Sequence, residues 1–199
     1  MSDLPLKPAL NAEPSVWTRI AALRQQSVTG LAPLFRAALE DAVNECQSLT
    51  ISTKLSGDRR AILPLDVVIF ETLRSDELQA IYFAQGTTAA KTARGSWHFY
   101  GLAADLISKR FEWFDGEEAR AQWPDAKDRA AVGAAWFRAV GEVCIKHGLE
   151  WGGNWHHPDL PHVQWGKCHD SPHEAPAIYD RAGGGDAGRR AVWLAVGAI

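Results

Sequence analysis

A single carboxylate inside an apolar run sets the main constraint on this chain. Residues 101–107 read "GLAADLI", in which Asp105 is the one charged side chain. An apolar run of this length, bounded by turn-like residues, reads as a strand with little access to solvent. An ionised carboxylate is costly to bury alone, so the fold must bring a partner to Asp105. With a side-chain period of two, Gly101, Ala103 and Asp105 share one face and Leu102, Ala104 and Leu106 the other. Asp105 is then flanked on its own face by residues with almost no side chain, which leaves room for a group to sit against the carboxylate.

The rest of the chain supplies helices around such strands. An apolar stripe from Val16 to Leu23 predicts a short helix capped by Ser15 after Pro14. Leu34, Phe35, Ala38, Leu39, Ala42, Val43 and Cys46 recur at helical spacing and predict a second. "SLTISTKL" alternates like a strand, "SGDRR" reads as a turn, and "PLDVVIFETL" reads as a more apolar strand ending at Arg74. Ser75 can cap the following helix, which Gly86 ends. Residues 109–124 read as a charged loop rich in aromatics. Asp125 then opens the clearest helix, with Val132, Trp136, Val140 and Val143 on one face and Gly148 at its end. "LEWGGNWHHPDLPHVQWG" has little helical character and finishes like a strand. The tail from Ser171 reads as turn-rich through "GGG" at 183–185 and closes on "AVWLAVGAI". Helices packed on a small antiparallel sheet make an α+β domain.

Length and composition narrow the class. The 199 residues suit one domain, with a net charge of −3 that gives no footing for a nucleic acid. No apolar stretch approaches the roughly 18 residues of a membrane span. Cys46, Cys144 and Cys168 are odd in number and widely spaced, so neither a zinc knuckle nor a disulfide framework is expected. The opening "MSDLPLKPALNAEPS" lacks the pattern of a signal peptide, so synthesis in a reducing cytoplasm is expected. The nine tryptophans are expected to divide between core and a binding cleft.

Two segments hold the chemistry. His98 and Asp105 lie in the first; His162, on one face of "PHVQW" with Gln164, lies in the second. Two imidazoles and a carboxylate are the donor set of a catalytic zinc that keeps its fourth position open. Spacing alone leaves other outcomes open, since Asp105 could cap a turn or pair with an arginine. No HExxH helix is present.

Ser96-x-His98-x-x-Gly101-x-Ala103-x-Asp105 matches in full the SxHxxGxAxD motif of the LAS-type zinc peptidases of peptidoglycan, peptidase family M15. "EWGGNW" followed by Asp159-x-x-His162 resembles the GGxW…DxxH element of its endopeptidase branch, and "ETLRSDELQAIYFAQG" is similar to the family's RSxxxQ helix start. The resemblance spans about residues 70–166, in order. It implies a LAS or hedgehog-like fold in one catalytic domain over 1–199, with N-terminal helices in 14–48, a peptidase core in 50–170 and a tail, 171–199, packed on it. It implies Zn²⁺ held by His98, Asp105 and His162. Asp159 would be the general base, joined to His162 by three residues of extended chain, and Arg74 would hold the developing oxyanion. Ser96 would help position substrate or loop, and Gln79 and Trp155 would line the cleft. His156 and His157 read as exposed loop residues, His147 as a helix C-terminal residue favoured by the dipole, and His169 and His173 carry no expected role.

The branches that remove D-alanine resemble ExxH at the base, whereas this chain has Asp159. The expected activity is therefore cleavage of the L-Ala–D-Glu bond of the peptidoglycan stem peptide by a monomer, with no nucleic-acid partner and no membrane insertion. A phage or prophage endolysin released through a holin pore is the expected setting. A D-alanyl-D-alanine carboxypeptidase is the alternative within the family, and a non-catalytic zinc-binding hedgehog-like interaction domain the alternative outside hydrolysis.

Overall fold

The computed structural model describes residues 14–168 and 172–199. The leader reading of the first residues and His169 lie outside them. The elements run α1 (Pro14–Leu23), α2 (Pro33–Cys46), β1 (Thr50–Lys54), β2 (Arg60–Pro64), β3 (Val67–Glu71), α3 (Asp76–Ala84), β4 (Ala103–Ser108), α4 (Glu117–Gln122), α5 (Ala126–Lys146), β5 (Leu149–Trp151), β6 (His162–Trp165), α6 (Ala175–Arg181) and α7 (Gly185–Ala195). The fold is α+β, with helices around a four-stranded antiparallel sheet of order β3-β4-β6-β5 and a separate β1-β2 hairpin.

The long helix α5 forms where the strongest apolar stripe lies. Asp125 accepts from the backbone N–H groups of Lys127 and Asp128, which satisfies two donors of its first turn. Val132, Trp136, Val140 and Val143 are all buried, and Trp136 donates its indole N–H to the Pro64 carbonyl at 3.2 Å. Phe35, Leu39, Ala42 and Cys46 of α2 join the same core. Cys46, Cys144 and Cys168 are buried free thiols, and burial pushes the Cys46 thiol up to about 11. No described helix is long and apolar enough to cross a membrane.

Five sequence expectations change. β2 completes a hairpin over residues that carried no expected element between "SGDRR" and "PLDVVIFETL", and β3 starts only at Val67. Ser15 lies inside α1, which begins at Pro14. The charged loop over 109–124 contains α4, and the turn-rich tail folds into α6 and α7. Gly101 does not belong to a strand: it ends a 3-10 turn, Trp97–Tyr100, at φ 68°. A Cβ there would meet the Gly30 carbonyl oxygen at 2.6 Å, so Gly101 is small for its backbone and for segment 30–32, not for a metal.

Candidate metal centre

β4 is the central support of the site. Asp105 pairs across the sheet with His162 of β6 on one side and with Glu71 of β3 on the other. A bulge at Phe70 inserts one extra residue into β3, and this sets Glu71 rather than Phe70 opposite Asp105. His98 arrives from the 3-10 turn before β4. Ser96 starts that turn, its hydroxyl oxygen accepting from the His98 N–H at 3.4 Å. The serine thus orients the segment that carries His98.

The three candidate donors form a near-equilateral triangle. His98 Nε2 lies 3.2 Å from His162 Nδ1, and each lies 3.4 Å from Asp105 Oδ1. Among the described residues these three are the group able to hold a metal ion. A tetrahedral zinc with bonds of about 2.0–2.1 Å has edges of about 3.3 Å between its ligands. The neighbouring hydrogen bonds fix where the ring protons sit. His98 Nδ1–H donates to the Thr72 carbonyl at 2.7 Å, which leaves Nε2 as a lone pair. Gln164 donates its NH₂ to Glu150 at 3.2 Å, so its Oε1 accepts from His162 Nε2–H at 3.1 Å and His162 Nδ1 is left as a lone pair. Two neutral imidazole lone pairs and a carboxylate oxygen thus converge, and a cation between them satisfies all three. The residues fit zinc.

Arg74 answers the question raised by Asp105 a second time. Its Nη2 donates to Asp105 Oδ2 at 3.2 Å, the oxygen turned away from the histidine pair. The arginine also pairs with the fully buried Glu71 and donates to Gln79 Oε1 at 3.4 Å. Glu71 in turn accepts from the Tyr82 hydroxyl at 2.7 Å. Burial works against the Asp105 charge, but His98, His162 and Arg74 outweigh it and hold the carboxyl well below its usual range. At His162 burial favours the neutral ring, and Asp105 and Asp159 more than reverse this.

Asp159 lines the same cavity, of about 810 Å³, as the triad and Arg74. Burial is the chief reason that its proton affinity is raised, and the Asp105 charge adds to it; His162, His98 and Arg74 pull the other way. The link from Asp159 to His162 is a tight turn rather than extended chain, closed by His162 N–H donating to the Asp159 carbonyl at 3.2 Å. Gly152 makes this possible. A Cβ there would meet the Asp159 carbonyl oxygen at 2.6 Å and His162 Cβ at 3.2 Å.

Trp155 lines the cavity, with its ring centroid 5.0 Å from that of His162 and its indole N–H donating to Glu150 at 2.5 Å. Gln79 departs from its expected place: it is fully buried and donates to the Ala90 carbonyl at 2.5 Å, so it holds Arg74 and the 87–90 loop instead of lining the cleft. His156 is exposed, His157 lines the cavity, and neither joins the triad. His147 caps the end of α5 and contacts Glu45 at 2.8 Å. Trp17, Trp97, Trp113 and Trp155 face the cavity, so the tryptophans do divide between core and cleft. Sequence reasoning passed over Glu71, Thr72, Tyr82 and Glu150. Glu71 carried a usable signal, being the same kind of lone carboxylate at the end of an apolar strand as Asp105.

Residues 90–165 match the M15 peptidase family model described as D-alanyl-D-alanine carboxypeptidase. The chain is 33% identical over 107 residues to the peptidoglycan L-alanyl-D-glutamate endopeptidase CwlK of Bacillus subtilis (strain 168), covering 50% of this chain and 60% of that protein. It thus spans less than two thirds of that relative's length. The crystal structure of Serratia marcescens L-Ala D-Glu endopeptidase ChiX superposes with a TM-score of 0.44 at 17% identity, over 72% of this chain and 86% of that one. The segment that matches the family model contains His98, Asp105 and His162, the three residues that could hold a metal ion.

Proposed function

We propose that this chain is a zinc-dependent peptidoglycan endopeptidase that cuts the L-Ala–D-Glu bond of the stem peptide. The observation that carries the reading is the triangle of lone pairs at His98, Asp105 and His162, with Asp159 beside it in one cavity. A bound zinc ion supplies a Lewis acid that acidifies water and polarises the scissile carbonyl. Asp159, whose raised proton affinity suits a base, takes the proton of the attacking water and delivers it to the leaving amine. Arg74 keeps Asp105 charged and oriented, and its place in the cavity wall lets it share the charge of the developing oxyanion. The choice of bond rests on the CwlK likeness and on an aspartate at the base position.

The decisive experiment compares the wild type with Asp159→Asn on a synthetic stem peptide, with zinc content measured in parallel. The variant is expected to keep its metal and to lose roughly 10²–10⁴-fold in kcat. Wild-type turnover in Asp159→Asn would remove the assigned base. The description of the family model favours a second reading, D-alanyl-D-alanine carboxypeptidase. Mass spectrometry separates the two, because release of free D-alanine from an intact Ala–Glu peptide would decide for the carboxypeptidase.

A further inference from the structure

The cavity continues past the metal centre to a wall that the proposed chemistry does not use. Trp17, Ile20 and Ala21 of α1 and Arg24 just after it form it, together with Phe70 and Trp113. This helix, Arg24 and Phe70 lie outside residues 90–165, so of the wall only Trp113 belongs to the segment that the family model matches. The wall is nonetheless firmly placed. Ile20 is buried against Leu78 and Tyr82, and Arg19 pairs with Glu77 of α3. Just beyond α1, the Gln25 carbonyl accepts from Thr72 N–H at 2.8 Å, and the Ser27 carbonyl accepts from the Thr72 hydroxyl at 2.9 Å. Thr72 is the residue whose carbonyl holds His98. Arg24 therefore sits one residue from an anchor that leads directly to a metal donor.

The Arg24 guanidinium lies over the Phe70 ring, with Cζ 4.0 Å from the centroid, and Phe70 meets Trp113 edge to face at 5.2 Å. The ring desolvates one face of the cation and leaves its planar fork of N–H donors at the edge. Among the described residues no carboxylate or carbonyl receives a hydrogen bond from the Arg24 side chain. Arg74, the other arginine in the wall, is committed to Glu71 and Asp105. The acids of the cavity, Asp105 and Asp159, stand at the metal end. With Arg74 and a zinc ion to balance those acids, Arg24 is the cavity's cation left without a carboxylate partner among the described residues.

We propose that Arg24 is a specificity-determining residue that receives a free carboxylate of an acidic peptide substrate, on the shelf made by Phe70 and Trp113. This rests on the peptidase reading above and adds the charge of the substrate to it. The pairing fixes which way the peptide lies across the triad. A fork-shaped donor matches a carboxylate in two hydrogen bonds, and the aromatic shelf lowers the competition from water.

The test uses two stem peptides with the sequence L-Ala-γ-D-Glu-L-Lys, one with free carboxylates and one with every carboxylate converted to carboxamide. Steady-state kinetics and calorimetry are run on the zinc-loaded wild type, Arg24→Gln and Arg24→Lys. The acid-over-amide preference in kcat/KM is expected to fall roughly tenfold in Arg24→Gln, through KM rather than kcat. Arg24→Lys should recover part of it, which a loss of packing alone would not allow. An unchanged preference in Arg24→Gln, or a wild type with none, overturns the subsite. If the wild type cleaves neither peptide yet binds the acid one in an Arg24-dependent way, the subsite stands and the peptidase reading falls. If it cleaves both peptides with no Arg24-dependent preference, the reading stands and the subsite falls. If it neither cleaves nor binds either, both fall.

Discussion

At His162 the outer ring nitrogen decides which electrons face the metal. Its proton is held by Gln164, Gln164 is held by Glu150, and Glu150 is held by the Trp155 indole. Removing the middle link leaves the ring free to rotate or to change tautomer. Gln164→Leu should therefore weaken zinc binding roughly 10–100-fold, as read by competition with a chromophoric chelator, while circular dichroism stays that of the wild type. Glu71 acts on the other side of Asp105. It is fully buried, and its removal strands the Arg74 charge in a protein interior. Glu71→Ala is expected to cost about 3–5 kcal/mol in urea unfolding. Both residues were partly legible beforehand: Gln164 shares a strand face with His162, and Glu71 is a lone carboxylate in an apolar run. What sequence could not give is the register, which depends on the bulge at Phe70 and sets Glu71 and His162 on either side of Asp105.

The strand β2 was hard to read because residue type and burial do not match along it. In β2 the outward positions are Arg60, Ile62 and Pro64, and the inward ones are Ala61 and Leu63. An isoleucine 75% exposed opposite a small buried alanine erases the alternation that marks a strand. The tail misleads differently, since in "GGG" at 183–185 two glycines make the junction after α6 and the third opens α7. By contrast α5 was legible because its buried face and its apolar stripe are the same residues. The turn from Asp159 to His162 depends on contact with a distant glycine, which spacing does not reveal. Gly152→Ala should displace that turn, since its new methyl has no room before the Asp159 carbonyl. The expected result is lost turnover together with weakened zinc binding, checked by kinetics and metal analysis on the same preparation. Retained zinc affinity with full turnover would show that the turn relaxes freely.

For the molecule as a whole, two conditions should change stability in known directions. Asp128 joins the β1-β2 loop to α5: its carboxylate accepts from the Ser56 N–H and hydroxyl, both at 2.7 Å, and pairs with Arg59. The Ser56 backbone bond is the chief reason its pKa is lowered, with the Ser56 hydroxyl next and Arg59 adding to both. A lowered folded pKa means that the contribution is present above the ordinary carboxylate range and is lost as the pH falls through the folded value. Melting curves from about pH 6 to about pH 3 should thus show a larger fall in Tm for the wild type than for Asp128→Asn. Zinc bound only by the folded state at 1,000 times its Kd stabilises by about 4 kcal/mol. At about 2–4 °C per kcal/mol for a chain of this size, a strong chelator should lower Tm by roughly 10 °C. Thr72 gives that stabilisation an address. Its N–H and hydroxyl hold the segment after α1, while its carbonyl holds His98. Ordering at one end must favour ordering at the other by the same free energy, because linkage is reciprocal. Residues 25–27 are then expected to report on the metal, slower in amide exchange when the triad is filled and quicker when it is stripped.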